Sequence, residues 1–110
     1  MQSCHGKVMT KAMNERELHN SILYECRLRE WVVFHGSTAH RTYRTLGEPD
    51  FTIIGPGWVL FVECKTPKGK LTPEQEDLHA RIRKLHHEVH VIRSVKEWAT
   101  LAQFYASSKS

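Results

Sequence analysis

The sequence predicts a single α/β domain, and three observations support that prediction. Stretches with apolar residues at helical spacing alternate with short apolar stretches typical of strands. Two of the strands are joined by Gly55-Pro56-Gly57, a strong turn signal. The 110 residues suit one modest hydrophobic core. We therefore expect one domain over residues 1–110, with a core from about 10 to 105 and a small mixed β-sheet flanked by helices.

Composition and charge narrow the functional classes. The chain is 40% hydrophobic and 25% charged, as ordinary globular proteins are. It shows no apolar stretch of membrane-spanning length and no signal peptide, so we expect a cytoplasmic protein without a membrane partner. The net charge of +4 mildly favours a polyanionic partner. Three cysteines without CxxC spacing predict neither disulfides nor a structural zinc site.

A first helix is predicted from about Asn14, the N-cap, to Glu30. Three apolar residues share one of its faces: Leu18, Ile22 and Cys26. At about 100° per residue, Glu15 lies in the middle of that face. An acid there needs a cation or a basic partner, unless the first turn exposes it to solvent, where the helix dipole favours it. Glu25, at the edge of the apolar face, is the alternative acid.

A first strand is predicted over residues 31–34, and a polar connection is predicted over residues 35–46. The connection contains Arg41 and Arg44. Loop arginines close to a metal site can hold phosphate oxygens. Solvated loop charges explain each arginine taken singly at least as well.

A hairpin follows, with strands over residues 51–54 and 58–65. If Pro56-Gly57 forms a two-residue loop, the register pairs Gly55 with Trp58, Ile54 with Val59, Thr52 with Phe61 and Asp50 with Glu63. Directly opposed side chains lie about 5 Å apart. Lys65 then shares the face of Glu63, whereas Cys64 points to the other face.

The end of this hairpin therefore brings two carboxylates and a lysine together. Like charges at that separation repel, and each carboxylate costs several kcal/mol if it is buried alone. A divalent cation removes the conflict by accepting both as oxygen ligands. The alternative is an exposed strand end with solvated charges. Because Asp50 and Glu63 end an otherwise apolar hairpin, the metal interpretation is favoured.

The next segment is a basic loop that leads into a second helix. Lys68 and Lys70 lie in the loop and suit a phosphate backbone. Thr72 is the predicted N-cap, and Gln75 stands at the capping-box position. Gln75 thus has a structural role, and a functional one is a secondary hypothesis. The predicted apolar stripe of this helix contains Leu78, Ile82 and Leu85.

A further strand is predicted over residues 89–92, followed by a last helix that begins with a capping box at residues 94–97. The apolar side of this helix contains Trp98, Leu101, Ala102 and Tyr105. His86, His87 and His90 show no reliable ligand spacing, and we interpret them as surface residues.

With these elements in place, the chain resembles the VRR-NUC family of the PD-(D/E)xK nuclease superfamily. The resemblance rests on residues 47–50, 62–66, 69–75 and 89–92, in that order. It implies a restriction-endonuclease-like fold and a Mg²⁺- or Mn²⁺-dependent phosphodiesterase acting on DNA. It places the acid of the first helix at Glu15. Stand-alone members similar to this chain are phage or bacterial nucleases, several of them junction-resolving dimers, which implies a homodimer acting on branched DNA.

The resulting hypothesis is metal-assisted hydrolysis of a DNA phosphodiester. Its metal ligands are Asp50, Glu63, the backbone carbonyl of Cys64 and, directly or through water, Glu15. Lys65 orients the attacking water or stabilises the transition state, and Gln75 helps to position either group. The main alternative is a DNA-binding module with a nuclease-like fold that recruits a partner without cutting. Cleavage of RNA also stays open.

Overall fold

The computed structural model describes residues 15–36 and 46–108. Its helices are α1 (Glu15–Leu28), α2 (Pro73–Lys84) and α3 (Val95–Ser108), and its strands are β1 (Val32–His35), β2 (Phe51–Gly55), β3 (Trp58–Cys64) and β4 (Glu88–Ile92). The order α1-β1-β2-β3-α2-β4-α3 confirms the predicted α/β class. The predicted N-cap, Asn14, lies outside the described residues.

The four strands form one mixed sheet in the order β1-β2-β3-β4. β2 is antiparallel to both β1 and β3, whereas β3 and β4 are parallel. A parallel pair needs a long crossover, which α2 supplies. The predicted hairpin register is confirmed, since Gly55 pairs with Trp58 and Thr52 with Phe61. Asp50 and Glu63 consequently lie at the same end of the hairpin.

One face of the sheet holds the hydrophobic core. The alternating strand residues that point to it come from the three strands β2, β3 and β4: Phe51, Ile53, Leu60, Val62, Cys64 and Ile92. α1 covers them with the three predicted residues Leu18, Ile22 and Cys26, and α3 with Trp98, Ala102 and Tyr105. α3 continues to Ser108, and the partly buried Ala106 packs against this core.

α2 packs on the opposite face of the sheet. Its buried residue is His79, which reaches Glu63, a β3 residue that points away from the core. The predicted apolar stripe was wrong in one member, because Leu85 is exposed. The helix ends at Lys84, and Leu85 is its C-cap, with its N–H bonded back to the carbonyl of Arg81. Leu85 therefore lies beyond the last residue whose side chain can pack on the sheet.

Both later helices begin as their sequences predict, with one difference. Thr72 and Gln75 form a complete capping box at the start of α2. At the start of α3, the N–H of Glu97 donates to Ser94 Oγ, but the Glu97 carboxylate accepts from the N–H of Arg93 rather than from that of Ser94. None of the helices in the described part of the chain is both long and apolar enough to cross a bilayer.

The segment that leads into β2 rests on the first turn of α2. Gly47 has a φ of +83°, and a Cβ added there would lie 2.3 Å from the carbonyl oxygen of Glu74. Glycine is therefore required twice, for its left-handed backbone and for this close approach. Gly57, in the hairpin turn, has a similar φ of +77° but open space around it.

Substitutions at these two glycines distinguish the cost of backbone strain from the cost of a steric clash. We expect Gly57→Ala to lower the free energy of unfolding by about 1–2 kcal/mol, the cost of a left-handed residue with a Cβ. Gly47→Ala should cost about 1–3 kcal/mol more, because it also forces the 46–50 segment away from α2. Urea denaturation of both variants beside the wild type measures the difference. Equal losses would contradict the close docking of Gly47 on α2.

Candidate active site

The two predicted carboxylates meet at the end of the β2–β3 hairpin. Asp50 directly precedes β2, and its backbone carbonyl accepts from the N–H of Gly36, 3.0 Å away. The N–H of Cys64 donates to Asp50 Oδ2 over 2.8 Å. The Asp50 and Glu63 side chains also interact, since each shifts the pKa of the other. The contact expected from the hairpin register is therefore made.

The electrostatics of this pair are unfavourable in the absence of a cation. Burial raises the pKa of Glu63 to about 8, the negative charge of Asp50 adds to the shift, and the nearby Lys65 opposes it. Burial also acts to raise the pKa of Asp50, but contacts with His19, the Cys64 amide and Glu63 outweigh it and lower that pKa. At neutral pH Glu63 therefore keeps its proton in the metal-free pair, whereas Asp50 is ionised.

α2 fixes the position of the Glu63 carboxyl group. Gln75 Nε2 donates to Glu63 Oε2 over 3.2 Å, and His79 Nε2 lies 3.3 Å from Glu63 Oε1. Glu63 is only 2% exposed. The Oε1 atom of Gln75 also accepts from the N–H of Thr72, over 2.9 Å. One amide side chain thus completes the helix cap and holds an acid of the site.

His79 is a site residue that the sequence analysis missed. Burial lowers its pKa, as do the positive charges of Arg83 and Lys65, so the imidazole is neutral and can donate its Nε2–H to Glu63. The signal that could have found it is its spacing from Gln75. Residues four apart lie on the same helix face, so a residue that supports the site from Gln75 predicts a second at position 79.

Lys65 lies where the sequence predicts it. It directly follows β3, and its N–H donates to the carbonyl of Ile92 over 3.0 Å. Its positive charge acts to lower the pKa values of both Glu63 and His79, so the ammonium lies within electrostatic range of both groups. Its side chain runs beside Gly69, where an added Cβ would lie 3.6 Å from Lys65 Cδ.

The two candidate acids of the first helix have different surroundings. Glu15 is exposed in the first turn of α1, the alternative that the helix pattern left open. Its charge nevertheless acts on the site, since it raises the pKa values of Glu63 and Cys64. Glu25 instead pairs with Arg29 one turn later on the same helix. Of the two, Glu15 is thus the acid that acts on the carboxylate pair.

Three groups that could hold a cation also meet on the α1 side of Asp50. The ligand atoms of His19, Asp50 and Cys64 all lie within 4.8 Å of one another. The His19 ring packs edge-on against the rings of His35 and Phe51. Burial raises the pKa of the Cys64 thiol well above its usual range, and the charge of Asp50 adds to the shift. Sequence spacing could not reveal this group, because its members come from one helix and two strand ends.

The basic loop after β3 is held in place by Arg93. The Nη1 atom of Arg93 donates to the carbonyls of Thr66 and Gly69, over 2.8 and 2.6 Å. Lys68 and Lys70 remain exposed on this loop. The other two predicted phosphate-binding residues, Arg41 and Arg44, lie outside the described residues.

Solved structures share this architecture, although no family model matches the sequence. A structure described as a VRR_NUC domain matches with a TM-score of 0.62 and 27% identity, over 79% of this chain and 95% of that one. A VRR_NUC domain protein matches with a TM-score of 0.65 and 18% identity, over 86% of this chain and 89% of that one. The fold is that of a VRR-NUC domain. The resemblance expected from the sequence is thereby confirmed.

A sequence relative points the same way. "Putative nuclease p44" of Acyrthosiphon pisum secondary endosymbiont phage 1 is 47% identical over 49 residues. The matched stretch covers 44% of this chain and 53% of that protein, so it spans about half the relative's length. The chain thus shares part of its sequence with a phage protein.

The carboxylate pair predicts a pH-dependent stability in EDTA. Because burial and Asp50 raise the pKa of Glu63 from 4.5 to about 8, the unfolded chain releases this proton near pH 4.5 and the folded protein near pH 8. This contribution to stability is complete below pH 4.5 and is lost as the pH rises through 8. Between pH 5 and 8, wild-type stability should fall by roughly 2–4 kcal/mol relative to Glu63→Gln, measured by urea denaturation.

The matched control is Glu76→Gln, which neutralises an exposed acid on α2. Its stability should follow the wild-type curve across the same pH range. If Glu63→Gln also runs parallel to the wild type, Glu63 does not hold the proton that this geometry assigns to it.

Proposed function

We propose that this VRR-NUC chain is a metal-dependent nuclease that hydrolyses DNA phosphodiester bonds. The proposal rests on one observation: the Asp50 carboxylate, held by the Cys64 amide, and the buried Glu63 carboxyl group lie close enough for each to shift the pKa of the other, and the charge of Lys65 also acts on Glu63. A buried acid beside a second acid is costly, and a domain that only binds DNA has no use for such a pair. Acids near a phosphate weaken DNA binding unless a cation neutralises them.

The donor set fits Mg²⁺ or Mn²⁺. Asp50 and Glu63 would supply carboxylate oxygens, the backbone of Cys64 a carbonyl, and Glu15 a ligand directly or through water. The cation would supply Lewis-acid chemistry, by lowering the pKa of a water molecule and neutralising charge on the phosphate. The proton that Glu63 keeps in the metal-free protein would leave when both carboxylates become ligands.

The remaining residues act by position and charge. Lys65, next to the pair, would orient the attacking water or stabilise the negative charge that develops on the phosphate. Gln75 and His79 hold the Glu63 carboxyl group from α2, so they are positioning residues. Their hydrogen bonds keep Glu63 directed at Asp50 before substrate arrives, which reduces reorganisation during the reaction.

Charge and the family resemblance support a nucleic acid as the class of substrate. The net charge of +4 and the exposed Lys68 and Lys70 suit a phosphate backbone, with Arg41 and Arg44 as further candidate contacts. A homodimer acting on branched DNA is the assembly that the VRR-NUC resemblance supports. RNA is the alternative polymer, since the described residues offer no evident contact to the sugar that would tell the two apart.

The first test is cleavage. Purified protein would be incubated with labelled duplex, single-stranded, flap and four-way-junction DNA, and with RNA of the same sequences, in Mg²⁺, Mn²⁺ or EDTA. We expect cutting only with metal, and a rate at least about 100-fold lower for Lys65→Ala, because the variant lacks the charge beside the phosphate. Lys96→Ala, which removes an exposed lysine at the start of α3, should cut normally.

The same samples test the binding-module alternative. That alternative predicts no cutting of any substrate and DNA binding that EDTA leaves unchanged, measured by fluorescence anisotropy. The nuclease proposal predicts tighter binding with metal, because the cation removes the repulsion between the carboxylates and the phosphates.

A further inference from the structure

The α1 side of Asp50 holds a nitrogen, an oxygen and a sulfur that share one small space. A ring nitrogen of His19, a carboxylate oxygen of Asp50 and Cys64 Sγ all lie within 4.8 Å of one another. Glu63 approaches Asp50 from the opposite side, since Glu63 and Cys64 alternate along β3. Asp50 therefore stands between two different sets of potential ligands.

The His19 nitrogen points to a missing ligand. The Nε2 atom of His19 is hidden from solvent and has no hydrogen-bond partner in the part of the chain that the structure describes. Asp50 Oδ2 is 3.8 Å from this nitrogen, too far for a hydrogen bond. A buried polar atom without a partner costs about 1–3 kcal/mol. A cation between the two atoms would satisfy both.

The spacing of the three atoms suits a small tetrahedral ion. With metal–ligand distances of about 2.0–2.3 Å, the ligand atoms of such an ion lie about 3.3–3.6 Å apart. The atoms here would have to close in by less than about 1.5 Å. Two of the three are already oriented, because the rings of His35 and Phe51 hold His19 and the Cys64 amide holds Asp50.

We propose that His19, Asp50 and Cys64 form a binding site for a thiophilic divalent cation, with Zn²⁺ as the best match. Imidazole and thiolate ligands favour Zn²⁺ and Co²⁺ over Mg²⁺, which prefers oxygen. Binding converts the Cys64 thiol to a thiolate and releases its proton to solvent. Three protein ligands leave the fourth position open to water.

This second site has a consequence for the proposed nuclease. Because Asp50 belongs to both ligand sets, a thiophilic cation on the α1 side would withdraw it from the Mg²⁺ site. Zn²⁺ would then inhibit cutting in competition with Mg²⁺. The inhibition rests on the proposed function, whereas the binding of Zn²⁺ does not.

The test is a Co²⁺ titration of the full, reduced chain followed by near-ultraviolet absorption, where a thiolate ligand produces a charge-transfer band. We expect the band in the wild type, in Glu63→Gln and in Cys26→Ala, which removes the buried cysteine of α1. Cys64→Ser should abolish it. Competition with Zn²⁺ should show at least tenfold weaker binding for Cys64→Ser and for His19→Ala.

A control variant and a second site variant allow the result to be interpreted even if Cys64→Ser does not fold. His86→Ala removes an exposed histidine and should bind Zn²⁺ as the wild type does. If Cys64→Ser fails to fold by circular dichroism, the tenfold loss in His19→Ala tests the site alone. No band in the wild type, or equal Zn²⁺ affinity in His19→Ala, overturns the proposal even if the protein cuts DNA with Mg²⁺. A band without any cutting supports this site and removes the nuclease.

Discussion

Two carboxyl groups meet where the β2–β3 hairpin ends, and the elements around them act to hold them there. The hairpin turn sets the register that places Asp50 opposite Glu63. The amide of Cys64 fixes the Asp50 side chain, and α2 fixes Glu63 through Gln75 and His79. Burial and the charge of Asp50 together raise the pKa of Glu63 to about 8, so the metal-free site keeps a proton that a cation would replace. The fold thus holds two acids close enough together that one of them stays protonated at neutral pH.

The two faces of the sheet differ in the residues that they bury: one is apolar and the other polar. The face under α1 and α3 contains the apolar core. On the other face, α2 covers Glu63 and contributes the buried His79. Since α2 joins the parallel strands β3 and β4, the crossover that the topology requires is also the element that positions an acid. Gly47 and Arg93 complete this arrangement, one by close contact with α2 and the other by holding the loop that follows Lys65.

Local signals in the sequence were sufficient for the elements and for part of the site. Pro56-Gly57 determined the hairpin register, and with it the meeting of Asp50 and Glu63, because a two-residue loop leaves one pairing. Thr72 and Gln75 marked the start of α2. His79 could have been found only from its spacing to Gln75. His19 was not predictable from local signals, since Asp50 lies 31 positions away and their approach depends on how α1 packs. The prediction that Leu85 belongs to the apolar stripe of α2 was wrong, because helical spacing does not show where a helix ends.

The most direct test of the account is a crystal structure of the protein with Mn²⁺, with the ion located by its anomalous scattering. The account predicts a peak about 2.0–2.4 Å from carboxylate oxygens of both Asp50 and Glu63, and no peak there in Glu63→Gln. Mn²⁺ bound elsewhere, with neither Asp50 nor Glu63 as a ligand in a protein that still cuts DNA, would contradict the claim that this carboxylate pair is the metal site.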